Sequence, residues 1–316
     1  MGILSKNEVV ILKKSTASKE YLAKLQALRQ NVSDEDSLAD ELDKEIAIVN
    51  AGIYGEESVL FELQNSDMDL VVIQDLFLKT KDGRTAQIDF FVITPYANVI
   101  IECKNLFGNI TINEKGDFVR TFNYGKRYYK SGIYSPITQN ERHLSVYKEC
   151  RQEDKNILIR AALEKGISSY TKSVVVLANS GTVVHDKYAP KEIKNQVIRC
   201  DRLIRYLKSI KTDVKSSKKE MLALGEKVLV LDVKERTDYL KKYQELFDEY
   251  LVNNNSDIAD SETTVESEND TCPWCGNKLV LRTATKGKNA GNKFYGCSTF
   301  PKCRFIRNIK GIDCEK

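Results

Sequence analysis

Apolar residues first recur at helical spacing: Leu22, Leu25 and Leu28, then Leu38, Leu42, Ile46 and Val49, set among Lys, Glu and Ala. That period predicts two helices between Ser15 and about Asn50, with Ser33 followed by Asp36 as a candidate cap between them. Ile53 to Leu63 continues as a helix carrying Glu56 and Glu57. The period then shortens. Leu70 to Leu78 reads as a strand, closed by a turn at Lys81-Asp82-Gly83. Two β-branched runs, Gln87 to Ile93 and Val99 to Lys104, flank a short turn at Thr94 to Asn98 and predict a hairpin. Asn109 to Asn113 and Phe118 to Asn123 predict a second hairpin. Helices are expected over Ile137 to Glu149 and over Asp201 to Ile210, the latter with Asp201 as N-cap. Ser173 to Ala178 and Val197 to Cys200 read as further strands, and residues 216 to 251 as helical and charged.

This order predicts an α/β protein, a mixed sheet covered by helices. The expected units are an N-terminal helical segment over residues 1–50, a main α/β domain over 51–212, a helical extension over 213–252, an acidic linker over 253–270 and a small C-terminal unit over 271–316. The linker is Asn, Ser, Thr, Asp and Glu with almost nothing apolar, the composition of a disordered segment. At 316 residues, 41% hydrophobic and 30% charged, the chain suits a soluble multidomain protein. It has no apolar run of membrane-spanning length and no secretory core near its start. A cytoplasmic protein without membrane partners is therefore expected. The N-terminal helices are expected to pack on the main domain, and they also offer a surface for self-association.

The first hairpin carries the densest chemistry. Its first run holds one acid, Asp89, and its second ends in Glu102-Cys103-Lys104. Side chains alternate along a strand, so Glu102 and Lys104 share a face, and hairpin pairing brings Asp89 toward it. Carboxylates at the ends of buried strands are costly unless used. Two acids and a lysine so placed suit a hard divalent cation and a water.

The C-terminal unit offers a second centre. Cys272-Pro-Trp-Cys275-Gly and Cys297-Ser-Thr-Phe-Pro-Lys-Cys303 form two cysteine pairs about twenty residues apart, the spacing of a tetrahedral zinc site. So small a unit folds on its metal rather than on a core. Cys314 reads as a spare thiol. Charge here is one-sided, with Lys278, Arg282, Lys286, Lys288, Lys293, Lys302, Arg304, Arg307 and Lys310 against Asp313 and Glu315. Trp274, Phe294, Tyr295, Phe300 and Phe305 are interleaved. Cations neutralise phosphates and rings stack on unpaired bases, so nucleic acid is the expected partner, although some rings must form the small core.

Two resemblances follow from these residues. Cys272-Pro-x-Cys-Gly, then Phe294-Tyr-Gly-Cys-Ser-x-x-Pro-x-Cys303-Arg, resembles the four-cysteine zinc ribbon at the C-termini of bacterial type IA DNA topoisomerases. That resemblance implies binding of DNA, mainly single-stranded, without catalysis by the ribbon itself. Gly55-Glu56, Gln87-Ile-Asp89, Ile101-Glu-Cys-Lys104-Asn-Leu-Phe-Gly108-Asn-Ile110 and Ser135-Pro136-x-x-Gln139-x-x-x-His143 resemble the nuclease-related domain, NERD, of the PD-(D/E)xK nuclease superfamily. It covers about residues 50–160 and implies a restriction-endonuclease-like fold. Cys103 departs from the small or β-branched residue commoner at that position.

Under this resemblance Asp89 and Glu102 are expected to hold Mg2+ or Mn2+, with the Cys103 backbone carbonyl as a third oxygen. Lys104 is expected to orient or deprotonate the attacking water, or to stabilise developing charge. Glu56 is expected to hold a metal-bound water or a second ion. Gln139 is expected to contact the metal site or substrate, with His143 one turn later on the same helix face. Each has a plainer reading: an ordinary surface acid for Glu56, a helix cap for Gln139, a structural hydrogen-bonding residue for His143. Two function classes result. The chain is either a metal-dependent deoxyribonuclease with a DNA-binding ribbon, or a DNA-binding or sensing protein whose nuclease-like domain is silent. RNA processing is a third reading.

Overall fold

A computed structural model of the protein describes residues 7–236, 238–259, 271–284 and 293–308. The chain divides into two compact units, Met1–Glu249 and Tyr250–Lys316.

In chain order the first unit contains β1 (Val9–Lys13), α1 (Ala17–Arg29), α2 (Ser37–Gln64), β2 (Leu70–Lys79), β3 (Thr85–Ile93), β4 (Asn98–Lys104), β5 (Asn109–Ile112), β6 (Phe118–Tyr124) and β7 (Arg127–Ile133). It continues with α3 (Pro136–Gln152), α4 (Ile157–Tyr170), β8 (Thr171–Leu177), β9 (Val184–His185), α5 (Lys191–Lys194), β10 (Val197–Arg199), α6 (Leu203–Ser209) and α7 (Lys218–Leu229). Helix α8 (Leu240–Ala259) follows, and β11 (Leu279–Thr283), β12 (Lys293–Cys297) and β13 (Ile306–Asn308) form a separate antiparallel sheet.

The main sheet is six-stranded in the order β1-β2-β3-β4-β8-β10. β2, β3 and β4 pair antiparallel, whereas β1 joins β2, and β8 and β10 extend β4, in parallel. Both faces are covered, which is why β2 and β4 read as near-continuous apolar runs rather than alternating ones. On one face Val59, Leu60 and Leu63 of α2 and Leu203 and Leu207 of α6 pack on Val72, Val92, Ile101 and Val174. On the other, Val146, Tyr147, Ile167, Met221 and Val228 from α3, α4 and α7 pack on Ile73, Phe91 and Ile100. A second sheet, β7-β6-β5-β9, lies over Ile137, Val175 and Leu177.

Several expectations change. Helix α2 is a single 28-residue helix, so the boundary expected at residue 50 falls inside it. Its cap is Asp36, whose side chain accepts from the Leu38 N–H, and not Ser33. β1 is absent from the helical reading of residues 1–50, and it completes the sheet edge beside β2. Asp201 caps nothing: a 3₁₀ turn over Cys200–Arg202 precedes α6. Helix α8 runs to Ala259, into residues read as linker. Residues 260–270 and Cys314 lie outside the described residues.

Candidate active site and zinc ribbon

β4 is a central strand, and its apolar core Val99-Ile100-Ile101 is fully buried. Its charged residues come only at the C-terminal end, where Glu102 is 1% exposed. The β3·β4 ladder runs from Ile93↔Asn98 to Phe90↔Ile101, which places Asp89 opposite Glu102 as the two strands part. There the Asp89 carboxylate replaces the ladder and accepts the Cys103 backbone N–H at 2.7 Å. On the β8 side the Lys104 carbonyl accepts from the Ala178 N–H. Carbonyls alternate along a strand, so that of Cys103 points the other way, toward Asp89.

A change of strand phase brings Asp89 inward. On one sheet face the buried positions of β2 are Val71 and Ile73, then Leu76 and Leu78; those of β3 are Ala86 and Ile88, then Phe91 and Ile93. The parity therefore switches at Asp75 and, across from it, at Asp89. Asp75 has φ +57°, a left-handed backbone rarely adopted by residues other than glycine. Its carboxylate is held by both oxygens to Arg236 at 2.7 Å and also accepts from Ser15 and Gln87.

Helix α2 delivers Glu56. A Cβ on Gly55 would lie 2.7 Å from the Asn105 Cβ and 3.2 Å from the Cys103 Sγ, so glycine lets the helix approach the end of β4. The Asn105 side chain donates to the Ala51 carbonyl and fixes this contact. Glu56 then accepts from Gln74 Nε2 at 3.0 Å. Gln139 arrives on the first turn of α3, which starts at Pro136 behind the Ser135 cap. The next residue, Asn140, is buried and donates to the Ile100 and Val174 carbonyls, pinning that turn to the sheet.

Lys104 Nζ is 2.6 Å from Glu102 Oε1 and donates to Gln139 Oε1 at 3.0 Å. His143 Nδ1 lies 3.4 Å from Glu102 Oε2. Burial, and then the Lys104 charge, lower the His143 pKa to about 4, so the imidazole is neutral at neutral pH and this contact is no ion pair. Neither atom has a hydrogen-bond partner among the described residues.

Glu56, Asp89, Glu102, Lys104, Gln139 and His143 are thus brought together. Burial raises the Asp89 pKa well above the carboxylate range, helped by the charges of Glu102 and Glu56. Glu102 is raised by burial against the pull of Lys104. Glu56 is raised by burial, opposed by the Gln74 hydrogen bond. Three mutually repelling carboxylates with one lysine among them lack positive charge. The unpartnered, buried Glu102 Oε2 fits the need for a hard cation. Gln74, Asp75, Gln87, Asn105 and Asn140 were missed from sequence. Gln87 and Asn105 lie within the stretches that resemble NERD, and a glutamine inside an apolar run was the only signal for Gln74, whereas Asn140 stands among polar residues and carries none.

The second unit is built around Cys272, Cys275, Cys297 and Cys303, whose Sγ atoms all lie within 4.8 Å of one another. Cys272 and Cys275 precede β11, Cys297 ends β12, and Cys303 precedes β13. Gly276 follows the first pair with φ +69°, the turn expected there. Hydrogen bonding from Asn277 lowers the Cys275 pKa to about 6, so one thiolate is available to metal at neutral pH. Leu279 and Phe305 form the core, with Trp274 edge-on to Phe305 at 5.4 Å.

Of the expected nucleic-acid contacts, Trp274, Lys293, Phe300, Lys302 and Arg304 are exposed, and Phe294, Tyr295, Arg282 and Arg307 are partly covered. Arg282, Phe294, Phe300 and Arg304 line one cleft of about 620 Å³. Arg282 lies 5.7 Å over the Phe300 ring and Arg307 5.6 Å over that of Tyr295. Lys286 and Lys288 lie outside the described residues.

Residues 51–178 match the nuclease-related domain, NERD. The six-stranded mixed sheet flanked by helices is accordingly restriction-endonuclease-like. Residues 269–312 match the topoisomerase DNA-binding C4 zinc finger. The chain is similar to DNA topoisomerase 1 of Mycoplasma genitalium, 54% identical over 71 residues, covering 20% of this chain and 9% of the relative. It is 40% identical over 48 residues to DNA topoisomerase 1 of Methanocaldococcus jannaschii, covering 15% of this chain and 6% of the relative. Protein YrdD of Escherichia coli is 36% identical over 53 residues, 17% of this chain and 27% of that protein. The chain thus spans only a minor part of each of these relatives. No solved structure gives a significant match. Together the two domain matches suggest a nuclease and DNA binding, and the ribbon suggests zinc. Among the described residues, no helix is long and apolar enough to cross a membrane.

Proposed function

We propose that the protein is a metal-dependent deoxyribonuclease whose zinc ribbon binds DNA of single-stranded character. The observation that carries this reading is the convergence of Glu56, Asp89 and Glu102 beside Lys104, with one buried Glu102 oxygen left without a partner. Asp89 and Glu102 would hold Mg2+ or Mn2+, with the Cys103 carbonyl as a third oxygen, and the ion would neutralise the scissile phosphate and acidify a water. Lys104 lies against Glu102 and Gln139, where its ammonium can donate to a phosphate oxygen and stabilise the charge that develops there. Gln139 orients that ammonium. Glu56, held by Gln74, would hold a metal-bound water or a second ion on the α2 side. His143, being neutral, adds no charge beside Glu102.

The test is incubation of the full chain with labelled DNA and RNA in magnesium, in manganese, or with neither. DNA cleavage that needs the metal and disappears in Asp89→Ala and Lys104→Ala is expected. Cleavage that persists in both variants removes the assigned site. DNA binding without cleavage by the wild type makes the protein a silent binder, and cleavage confined to RNA makes it an RNA-processing enzyme.

A further inference from the structure

Between Lys104 and Gln139 the chain leaves the candidate active site and returns to it, since the two side chains are hydrogen-bonded at 3.0 Å. The excursion is the second sheet, and its composition is one-sided. No acidic residue occurs between Asp117 and Glu141, while Arg120, Lys126, Arg127, Lys130 and six aromatic residues do.

Strand alternation sorts these residues. The β6·β7 register pairs Tyr124 with Arg127, Phe122 with Tyr129, Arg120 with Ser131 and Phe118 with Ile133, all on one face. The base of that face, Phe118 and Ile133, packs in the core. Beyond the core it carries a ladder instead. Phe122 and Tyr129 stack at 5.1 Å with an interplanar angle of 10°, and the Arg120 guanidinium lies 4.6 Å over Phe122. Phe107 meets Phe122 edge-on at 5.9 Å, and its carbonyl accepts from Arg120 Nε. Both ends of the ladder are open: Tyr124 is 75% and Phe107 58% exposed.

The ladder is anchored beside the carboxylate cluster. Phe107 is three residues after Lys104, and the next residue, Gly108 (φ +96°), is crossed so closely by β6 that a Cβ there would collide with Thr121 and lie 2.7 Å from the Phe122 Cβ. Exposed rings flanked by guanidinium groups, on a hairpin that carries no acidic residue of its own, suit stacked bases with phosphates alongside. A duplex hides its base faces, so the occupant is an unpaired strand.

We propose that this face of the β6–β7 hairpin holds single-stranded DNA and leads it, from Tyr124 at the tip to Phe107 at the base, into the carboxylate cluster. The direction of travel rests on the nuclease reading, but the binding does not. From Tyr124 to Arg120 the strand spans roughly 13 Å, enough for more than one nucleotide.

The test uses the full chain with Asp89→Asn and no added magnesium, so that DNA stays intact and zinc stays in place. Photocrosslinking to an oligodeoxynucleotide carrying 5-iododeoxyuridine, followed by mass spectrometry, is expected to label Tyr124 or Phe107 as well as the ribbon. In the chain with native Asp89, Tyr124→Ala with Arg127→Ala is expected to raise KM for single-stranded DNA at least about tenfold. Tyr124→Phe, which keeps the ring, is expected to leave KM near the wild-type value. Crosslinks confined to the ribbon overturn the proposal, as does an unchanged KM in the double variant of an active enzyme. Hairpin crosslinks from RNA of the same sequence but not from DNA also overturn it. Hairpin crosslinks to DNA in a chain that never cleaves support the binding surface and remove only the nuclease reading.

Discussion

Asp89 shows how much one side chain is asked to do. It is raised by burial and by two neighbouring carboxylates, yet it also closes the β3·β4 ladder by accepting the Cys103 N–H. An acid whose folded pKa is raised binds its proton more tightly in the native state than in the unfolded chain. Stability is therefore unaffected below the ordinary carboxylate range and falls as pH rises through the raised folded pKa. Asp89→Asn keeps an acceptor for Cys103 and removes the charge. Without divalent metal it is expected to melt higher than the wild type, by about 2–4 °C for each kcal/mol relieved. The gap should widen as pH rises above the ordinary carboxylate range, shrink on adding magnesium, and accompany loss of cleavage; thermal melts across a pH series check it. Asp89, Glu102 and Lys104 were legible as a set because polar residues interrupt runs that must be buried. Asp75 was not, because its left-handed backbone has no signature in sequence.

Two elements set the site's dimensions. The close approach of α2 to β4 depends on Gly55, so Gly55→Ala is expected to destabilise the fold by about 1–3 kcal/mol through overpacking. It should also move Glu56 away and lower kcat more than it raises KM; denaturant titration and steady-state kinetics separate the two effects. The hairpins and most strands were legible from β-branched runs and turn residues. β7 was missed because Arg127 to Ile133 is mostly polar and exposed, with no buried alternation to mark it. The boundary at residue 50 failed for a related reason. Helical periodicity shows that a segment is amphipathic, but not that two amphipathic segments are one continuous helix.

Within the first unit, the segment after α7 clasps the sheet. Arg236 is bonded to both oxygens of buried Asp75 and to its carbonyl, and Asp232 accepts from the Phe77 N–H and from Lys13. Arg236→Ala leaves that carboxylate without its cation. The expected loss is about 2–3 kcal/mol, below the value for fully buried pairs because Arg236 keeps some solvent exposure; urea unfolding measures it. The two compact units also predict separable responses to metal. A strong zinc chelator is expected to weaken binding of single-stranded DNA while the main helical melting transition, followed by circular dichroism, stays in place.

Sequence alone determined the four clustered cysteines, the one-sided charge of the ribbon and the acids and lysine of the first hairpin. Those are decided by residue type and short spacing, and short spacing is fixed by covalent geometry. The tertiary structure decided what stands around them: Glu56 held by Gln74, the turn of α3 pinned by Asn140, the phase switch at Asp75, and the hairpin that returns to Gln139. These depend on contacts between residues far apart in the chain, which packing of both sheet faces selects and no local pattern encodes.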